Sequence, residues 1–399
     1  MNKKLKGNFK KISLVYLVNA FLKKRTNSRK MRWLYKYYSE KARENSVVYD
    51  EGVIIDQVRN RLRSRGIKPK IKPKGDLRIF WVGGHYEQDN SGFLQSLKSF
   101  GEVIPLINDY NGYNPKKWIS SSSIEKEDLA VASQDFLNQV MVAHQKKPID
   151  VLLGQIGEHI TSFSVLESIQ KLGIPVINIS MDDKITDRWL RKKKQGYVSL
   201  TKGIDLVLTT SPDTCLWYLI ENAPAIYWPL ASNPDIFYPR EHKIYDVVFV
   251  GGNYGLRGKL VKKIRKAGIK IEVFGPGFPN GFINAVRMSE VFGQAKIILG
   301  SGHVGYNEDI FTLKLRDFDA TMSGSLYITN RNPDLLQLFK EDKEIECYNT
   351  FDECISKIKF YLANPDRLEV IANAGLKKAR DNHTWNKNFE KAFKIINLI

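Results

Sequence analysis

The run Tyr245-Asp-Val-Val-Phe-Val250, followed by Gly251-Gly252, decides the fold of the second half of this chain. Its apolar residues are nearly continuous, which is typical of a parallel strand buried on both faces, and glycines suit a tight turn at its end. The same arrangement occurs earlier, where Leu77-Arg-Ile-Phe-Trp-Val82 runs into Gly83-Gly84. The repetition predicts two α/β domains, each of which begins with such a strand.

Short apolar runs continue both series and alternate with stretches of helical periodicity. The other predicted strands are Val103–Leu106, Val151–Leu153, Val176–Ile179 and Leu206–Thr209 in the first series, and Ile271–Phe274, Ile297–Leu299, Leu326–Thr329 and Ile345–Tyr348 in the second. The predicted helices include Asp128–His144, Ser164–Leu172, Asp352–Leu362 and Pro365–Arg380. Such an order indicates two doubly wound, Rossmann-like domains facing each other across a cleft, with ligands at the carboxyl ends of the strands.

The proline-rich stretch Pro229–Pro239 lies between the two series and suits a hinge. We therefore expect a basic helical extension and linker over residues 1–75, with the Pro/Lys-rich linker at 66–75 unable to bury a face. A first α/β domain is expected over 76–230 and a second, ligand-binding domain over 240–385, followed by a closing helix over 386–399.

The net charge of +19 is concentrated in the extension. Residues 1–75 hold 22 Lys/Arg against 5 Asp/Glu, whereas the other 324 residues hold 40 against 38. A nucleic-acid-binding domain carries its basic surface on the domain itself, so a near-neutral body predicts no nucleic-acid partner. The cysteines Cys215, Cys347 and Cys354 lack metal-binding spacing and are predicted to be buried free thiols.

The first 36 residues contain no acid, and within them an apolar run, Ile12–Leu22, is flanked by lysines and Arg25. The run has 11 residues, and a span needs about 20. It leads into a basic cluster instead of a cleavage site, which argues against a signal peptide. Two interpretations stay open: residues 1–38 lie on an anionic membrane surface, or they form a basic helix packed on the body. The first predicts a cytoplasmic protein that is peripheral at the inner face of a membrane.

Two glycine-containing turns are candidates for holding a nucleotide sugar. Gly251-Gly252-Asn253 through Arg257 lies between a strand and a helix, where glycines let the backbone approach phosphate and the helix N-terminus favours an anion. Gly275 follows the strand Ile271–Phe274, in a turn able to pass beside the base or the sugar. The alternative in both places is an ordinary tight turn.

A third candidate is the tract from Lys314 to Asn330. Its helix places Arg316 and Asp319 three residues apart, so that both lie on one face. One guanidinium and one carboxylate match a ligand with phosphate on one side and ribose hydroxyls on the other. The alternative is a surface salt bridge, which does not account for the strand-ending Thr329-Asn330.

This tract and two later segments carry a specific resemblance. Residues 246–385 resemble the C-terminal domain of the CgeB-like (spore maturation) glycosyltransferases, over about a third of the chain. The matching segments are Leu315–Ala320 with Ser323-Gly324 and Leu326–Asn330, then Tyr361–Pro365, Ile371–Gly375 and His383-Thr384-Trp385. The resemblance implies a GT-B fold, a nucleotide-diphosphate sugar as co-substrate, and no obligatory metal or other cofactor.

By the family pattern, Arg316 contacts the donor phosphates and Asp319 the ribose. The family usually has Glu at the position of Asp319, so the shorter side chain must approach the ribose more closely. The paired-glutamate motif of related retaining transferases is incomplete, because Phe311 stands eight residues before Asp319. The stereochemical course therefore stays open.

The acceptor and a general base are expected from the first domain. His85 follows the Gly83-Gly84 turn and suits proton transfer, although it is equally compatible with a surface loop. Asp182-Asp183 follows the strand Val176–Ile179 and could supply a base, bind a divalent cation or simply begin a helix. Glu158-His159 is a similar candidate, whereas His383 is predicted to pack or to cap a helix end.

The sequence thus predicts a glycosyltransferase of the hexosyltransferase type that acts on a glycan, lipid-linked or protein acceptor in polysaccharide biosynthesis. Two alternatives remain. One is an epimerase or hydrolase of nucleotide sugars with the same fold, and the other is a non-catalytic, membrane-associated binding protein.

Overall fold

The computed structural model describes residues 28–109, 111–114, 126–181, 183–185, 189 and 196–399. The predicted apolar run at 12–22 and the candidate Asp182 lie outside the described residues. Within them, the chain forms two parallel sheets connected by helices, of six and five strands. The predicted pair of Rossmann-like α/β domains is confirmed.

The first sheet has the strand order β2-β1-β3-β4-β5-β6, and every pairing in it is parallel. Its strands are β1 (Leu77–Val82), β2 (Gly101–Pro105), β3 (Val151–Gly154), β4 (Val176–Ser180), β5 (Leu206–Thr209) and β6 (Ala225–Tyr227). All six residues of β1 are buried, as expected of a strand covered on both faces. The sequence did not predict β6, because three residues are too few to show a pattern.

The second sheet has the order β11-β10-β9-β7-β8 and is again parallel throughout. Its strands are β7 (Tyr245–Val250), β8 (Ile271–Phe274), β9 (Ala295–Leu299), β10 (Leu326–Asn330) and β11 (Glu346–Tyr348). In both sheets the strand order reverses beside the first strand of the domain. Loops at the carboxyl ends of β1 and β7 therefore border the crevices that bind ligands in such folds.

Helices connect consecutive strands in both domains. In the first half they span 28–44, Glu51–Ser64, Tyr86–Asp89, Phe93–Lys98, Lys126–Lys146, Phe163–Lys171 and Pro212–Ile220, with a 3₁₀ helix at Tyr197–Gly203. In the second half they span Arg257–Lys266, Ala285–Gly293, Leu315–Met322, Pro333–Leu336, Phe351–Ala363, Pro365–Asn382 and Trp385–Ile395. The three cysteines are buried and free.

The last helix, Trp385–Ile395, belongs to the second half in sequence but packs on helices Phe93–Lys98 and Glu51–Ser64 of the first half. The Trp385 ring stacks on Phe93 with centroids 3.9 Å apart. Beside it, the Ser232 amide donates to the His383 carbonyl oxygen at 3.0 Å, and the Trp385 amide donates to the Ser232 carbonyl oxygen at 3.1 Å. The two segments that connect the domains, around Ser232 and around His383–Trp385, are thus hydrogen-bonded to each other.

The described part of the extension packs on the body. Helix 28–44 buries Met31, Leu34 and Tyr38 in the core of the first domain, so the inner face of this helix packs on the body. The predicted linker also contacts the body, contrary to expectation: Ile67 is buried, and the Lys72 amide donates to the Leu398 carbonyl oxygen at 2.9 Å. Among the described residues, no helix is long and apolar enough to cross a membrane.

Asp183 is a structural residue, which corrects its assignment as a base in the cleft. Its carboxylate is fully buried and accepts hydrogen bonds from four hydroxyls: Ser180 on β4, Thr209 on β5, and Thr214 and Tyr218 on the following helix. Burial raises its pKa. A carboxylate that joins two strands and a helix inside the core is out of reach of a substrate in the cleft.

We predict that Asp183→Ala lowers the free energy of unfolding of the first domain by about 3 kcal/mol or more, because it leaves several buried hydroxyls without an acceptor. Glu167→Ala is the control, because Glu167 is an exposed carboxylate of the same domain and its loss should cost no more than about 0.5 kcal/mol. Chemical denaturation of both variants measures the effect. Unchanged stability with lost turnover would restore Asp183 as a catalytic candidate.

Candidate functional site

The carboxyl ends of the two sheets face each other across a cleft that contains two cavities. The first has a volume of about 300 Å³ and is lined mainly by the second domain. The second has a volume of about 610 Å³ and is lined by both domains. They share four lining residues, His85, Gln88, Lys314 and Leu315, and so form one continuous space. This is the arrangement expected for a site that holds two substrates side by side.

Two arginines lie at the inner end of the first cavity. Arg316 donates from Nη1 to the Val250 carbonyl oxygen and from Nη2 to the Ser301 carbonyl oxygen at 3.3 Å. Arg257 donates to the Gly252 carbonyl oxygen at 3.2 Å and to the same Ser301 oxygen at 3.4 Å. The guanidinium carbon of Arg316 also lies 4.6 Å from the centroid of the Phe249 ring. Both guanidiniums are therefore held in fixed positions by backbone carbonyls and an aromatic face.

The two guanidiniums are buried together, and the nearby carboxylates of Asp317 and Asp319 act on them electrostatically without forming an ion pair. Arg257 is 5% exposed and Arg316 is 8% exposed, and within the described residues no carboxylate forms an ion pair with either. Each keeps a buried Nε that finds no hydrogen-bond partner there. Burial, and then the charge of Arg316, lower the pKa of Arg257 to about 10. Buried like charges are costly unless an opposite charge joins them, so this arrangement suits an anion.

Glycines make room for these guanidiniums. Gly251 has φ of +154°, and a Cβ on it would lie 2.8 Å from Nη1 of Arg316. Gly275 has φ of +129°, and a Cβ on it would collide with the Gly251 carbonyl group. Asn253 ties the two turns together, because its amide donates to the Pro276 carbonyl oxygen at 2.8 Å and its Nδ2 to the Gly277 carbonyl oxygen at 3.0 Å. Gly252 contributes the carbonyl that accepts from Arg257.

Arg316 and Asp319 both lie on helix Leu315–Met322, and both line the first cavity. Asp319 is 2% exposed, and its Oδ1 accepts a hydrogen bond from Ser232 Oγ at 2.7 Å. Burial raises the pKa of Asp319 well above its usual range. The alternative interpretation, a surface salt bridge, is wrong, since both side chains are buried and lie beyond ion-pair distance of each other.

Thr329 and Asn330 lie at the end of β10 and line neither cavity, so the structure does not bring them to the ligand as predicted. Asn330 Oδ1 instead accepts from the Gly302 amide at 2.6 Å. Asn330 thus holds the loop that follows β9, and this same loop presents the Ser301 carbonyl to both arginines.

The structure separates the histidine candidates. His85 is exposed at the carboxyl end of β1 and lines both cavities, as the sequence predicted. His159 and its neighbour Glu158 line neither. His383 is buried between the rings of Phe318 and Phe339, and burial lowers its pKa to about 4. Its predicted packing role is confirmed.

A buried carboxylate beneath His85 escaped the sequence analysis. Asp89 is fully buried, and it accepts hydrogen bonds from Trp81 Nε1 at 3.2 Å, from Tyr113 Oη and from Gln155 Nε2 at 3.4 Å. Burial raises its pKa to about 7. The sequence feature that could have indicated this carboxylate is its position four residues after His85. Its contacts show that it fixes the turn that carries His85.

Other lining residues were also missed. Lys314 lies where the two cavities join, and its position two residues before Arg316 was the available signal. Phe282 and Met288 line the first cavity from the segment after β8, where no motif marks them. That cavity therefore combines a cationic end with an apolar wall.

Residues 257–394 match a family model described as glycosyl transferase-like. No curated protein matches the sequence. The structure is similar to that of a sucrose-phosphate synthase from Thermosynechococcus elongatus, with 12% identity, a TM-score of 0.56, and coverage of 80% of this chain and 98% of that one.

The structure is likewise similar to that of Anabaena HepE, which contains UDP and glucose. The identity is 8%, the TM-score is 0.55, and the match covers 80% of this chain and 100% of that one. A UDP-N-acetylglucosamine 2-epimerase described for Listeria monocytogenes is also similar, with 9% identity, a TM-score of 0.50, and coverage of 80% and 96%. At these identities the likeness establishes the fold. The chain has the GT-B fold, and its second domain matches the glycosyl transferase-like family over residues 257–394.

Proposed function

We propose that this protein is a glycosyltransferase that takes a sugar from a nucleoside-diphosphate sugar held by its second domain. The observation that carries the proposal is the pair Arg257 and Arg316, buried side by side with no carboxylate within ion-pair distance of either among the described residues. Guanidiniums bind phosphate oxygens through charge-assisted hydrogen bonds. A diphosphate supplies negative oxygens that can contact both guanidiniums directly.

The rest of the first cavity fits the other parts of such a donor. Asp319 lies beyond Arg316 on the same helix and suits the ribose hydroxyls, while the wall of Phe282 and Met288 suits an apolar ring face. Lys314 stands where the cavities join, between the diphosphate and an acceptor in the second cavity. The cations would stabilise the charge on the diphosphate as the sugar leaves, which lowers the barrier to transfer.

The comparisons support the same function. The match to a glycosyl transferase-like family covers the domain that contains Arg316 and Asp319, and the similar HepE structure holds UDP and glucose. The CgeB-like family, a hexosyl donor and a glycan, lipid-linked or protein acceptor are finer parts of the proposal. Metal independence is another part, because the arginines supply the positive charge that a cation provides in other transferases.

Arg316→Gln is expected to weaken nucleoside-diphosphate binding about 10- to 100-fold, because it removes one charged hydrogen-bond donor from the diphosphate. The variant keeps a polar, uncharged side chain at this position, although glutamine is shorter than arginine. Isothermal titration calorimetry with the diphosphate and with the matching nucleoside measures the effect, and nucleoside binding should stay the same.

Arg331→Gln is the matched control, since Arg331 is a half-exposed arginine of the same domain that pairs with Glu341. It should bind the diphosphate as the native protein does. If the Arg316→Gln and native proteins bound the diphosphate with equal affinity and had the same melting temperature, the assignment of Arg316 to the donor phosphates would be wrong.

Among the predicted bases that the structure describes, His85 is supported as the general base because it lines both cavities. His85→Gln should reduce turnover about 100-fold or more while donor binding stays the same, because a base acts on the acceptor proton only during transfer. Steady-state kinetics and calorimetry of the same preparation measure the two quantities. A fall in donor affinity with unchanged turnover would instead make His85 a donor-binding residue.

The similarity to a UDP-N-acetylglucosamine 2-epimerase keeps one alternative open, in which the same cavity converts the nucleotide sugar without transfer. Product analysis separates the two functions. A transferase releases free nucleotide in step with a glycosylated acceptor, whereas an epimerase gives a new nucleotide sugar, and a hydrolase gives free sugar, with no acceptor present.

A further inference from the structure

Helix 28–44 has two faces of different chemistry. Its inner face is apolar and consists of Met31, Leu34, Tyr38 and Ala42, each at most 8% exposed. Its outer face is basic and aromatic, with exposed Arg29, Arg32, Trp33 and Lys36. The inner face is accounted for by its packing on the first domain. Among the described residues, the side chains of the outer face lie outside the core of the first domain.

Contacts along the inner side fix the rotation of this helix. Tyr38 Oη donates to Glu221 at 2.7 Å and accepts from Trp189 Nε1 at 3.0 Å. Tyr35 Oη donates to Asp213 at 2.8 Å, and at the helix start Ser28 Oγ donates to Asn307 at 2.9 Å. Because both ends are anchored, the outer face always points away from the body.

Trp33 is the unusual member of the outer face. It is 53% exposed, and its ring stacks on Tyr37 with centroids 5.2 Å apart, so the two rings form an apolar surface surrounded by cations. An indole combines a large apolar body with one polar N–H, which makes it favourable at the boundary between water and lipid. Basic side chains beside it can reach anionic headgroups.

The charged side chains within the patch itself, Arg29, Arg32 and Lys36, are all basic. The first acid of the sequence is Glu40, which lies 3.9 Å from Lys36 at the far side of the patch, and Asp213 is engaged by Tyr35 and Lys184. The absence of any acid from residues 1–36 extends the basic character to the chain that precedes the helix. The partner that fits is therefore anionic and offers an apolar layer to the rings.

We propose that Arg29, Arg32, Trp33 and Lys36 form a docking surface for an anionic lipid bilayer. Nucleic acid would satisfy the cations, but a bilayer also removes the exposed indole from water. Ser28 contacts Asn307, two residues from Gly305 in the wall of the second cavity, so the docked face and the cleft share one loop. The proposal does not depend on transferase activity.

The test is co-sedimentation of the full-length protein with phosphatidylcholine vesicles, with and without about one third phosphatidylglycerol. Native protein should sediment only with the anionic vesicles. The double variant Arg32→Glu/Trp33→Ser should bind them at least about tenfold more weakly, because it reverses one charge and removes the indole. Its melting temperature should match that of the native protein, since both side chains are exposed.

Lys359→Glu/Phe360→Ser is the matched control, because it changes an exposed lysine and an adjacent exposed aromatic ring on a helix of the second domain. This control should bind anionic vesicles like the native protein. Equal binding by the Arg32→Glu/Trp33→Ser variant would overturn the proposal. The proposal would also be overturned if the native protein bound a mixed-sequence RNA but not the vesicles, and the Arg32→Glu/Trp33→Ser variant lost that RNA binding.

Discussion

Two guanidiniums, those of Arg257 and Arg316, are buried against each other around the Ser301 carbonyl oxygen, and the second domain is arranged to hold them there. Gly251 and Gly275 leave the space that side chains would fill. Asn330 positions the Gly300–Gly302 loop through its bond to the Gly302 amide. A cluster of like charges in a low-dielectric interior opposes folding. Its presence at the end of a cavity is understandable when an anion joins it during function.

The position of this site between two domains explains other contacts. Asp319 accepts a hydrogen bond from Ser232, which lies in the segment joining the sheets and is bonded in turn to the His383–Trp385 crossing. Lys184 of the first domain forms a buried ion pair at 2.7 Å with Asp334 of the second. The cleft is thus bordered by fixed contacts between the domains, one of which ends on Asp319, whose carboxylate lines the first cavity. Occupation of that cavity and the relative position of the domains are therefore expected to influence each other.

The fold could be predicted from the sequence because buried parallel strands leave a local pattern. Tyr245–Val250 and Leu206–Thr209 have the predicted bounds, whereas Ala225–Tyr227 is too short to be recognised. The shared helical face of Arg316 and Asp319 was also predictable, since it depends only on spacing. Asp183 was misassigned because nothing in its neighbourhood in the sequence shows that hydroxyls from Thr209, Thr214 and Tyr218 surround it.

The remaining misses have the same cause. Phe282 and Met288 reach the cavity through the path of the chain after β8, and Thr329 is turned away from it although its strand ends at the correct edge. Side-chain direction and long-range packing are tertiary properties. Local patterns therefore predicted which strand ends carry the site, but not which side chains face the ligand.

The central claim is that the buried arginine pair binds a diphosphate. The most direct measurement is a thermal-shift comparison of UDP, GDP, CDP, dTDP and ADP with their nucleosides, in buffer containing a metal chelator. The account predicts that one diphosphate raises the melting temperature of the native protein, that its nucleoside does not, and that Mg²⁺ is not needed. A folded protein that responds to none of the diphosphates, or equally to diphosphate and nucleoside, would contradict it.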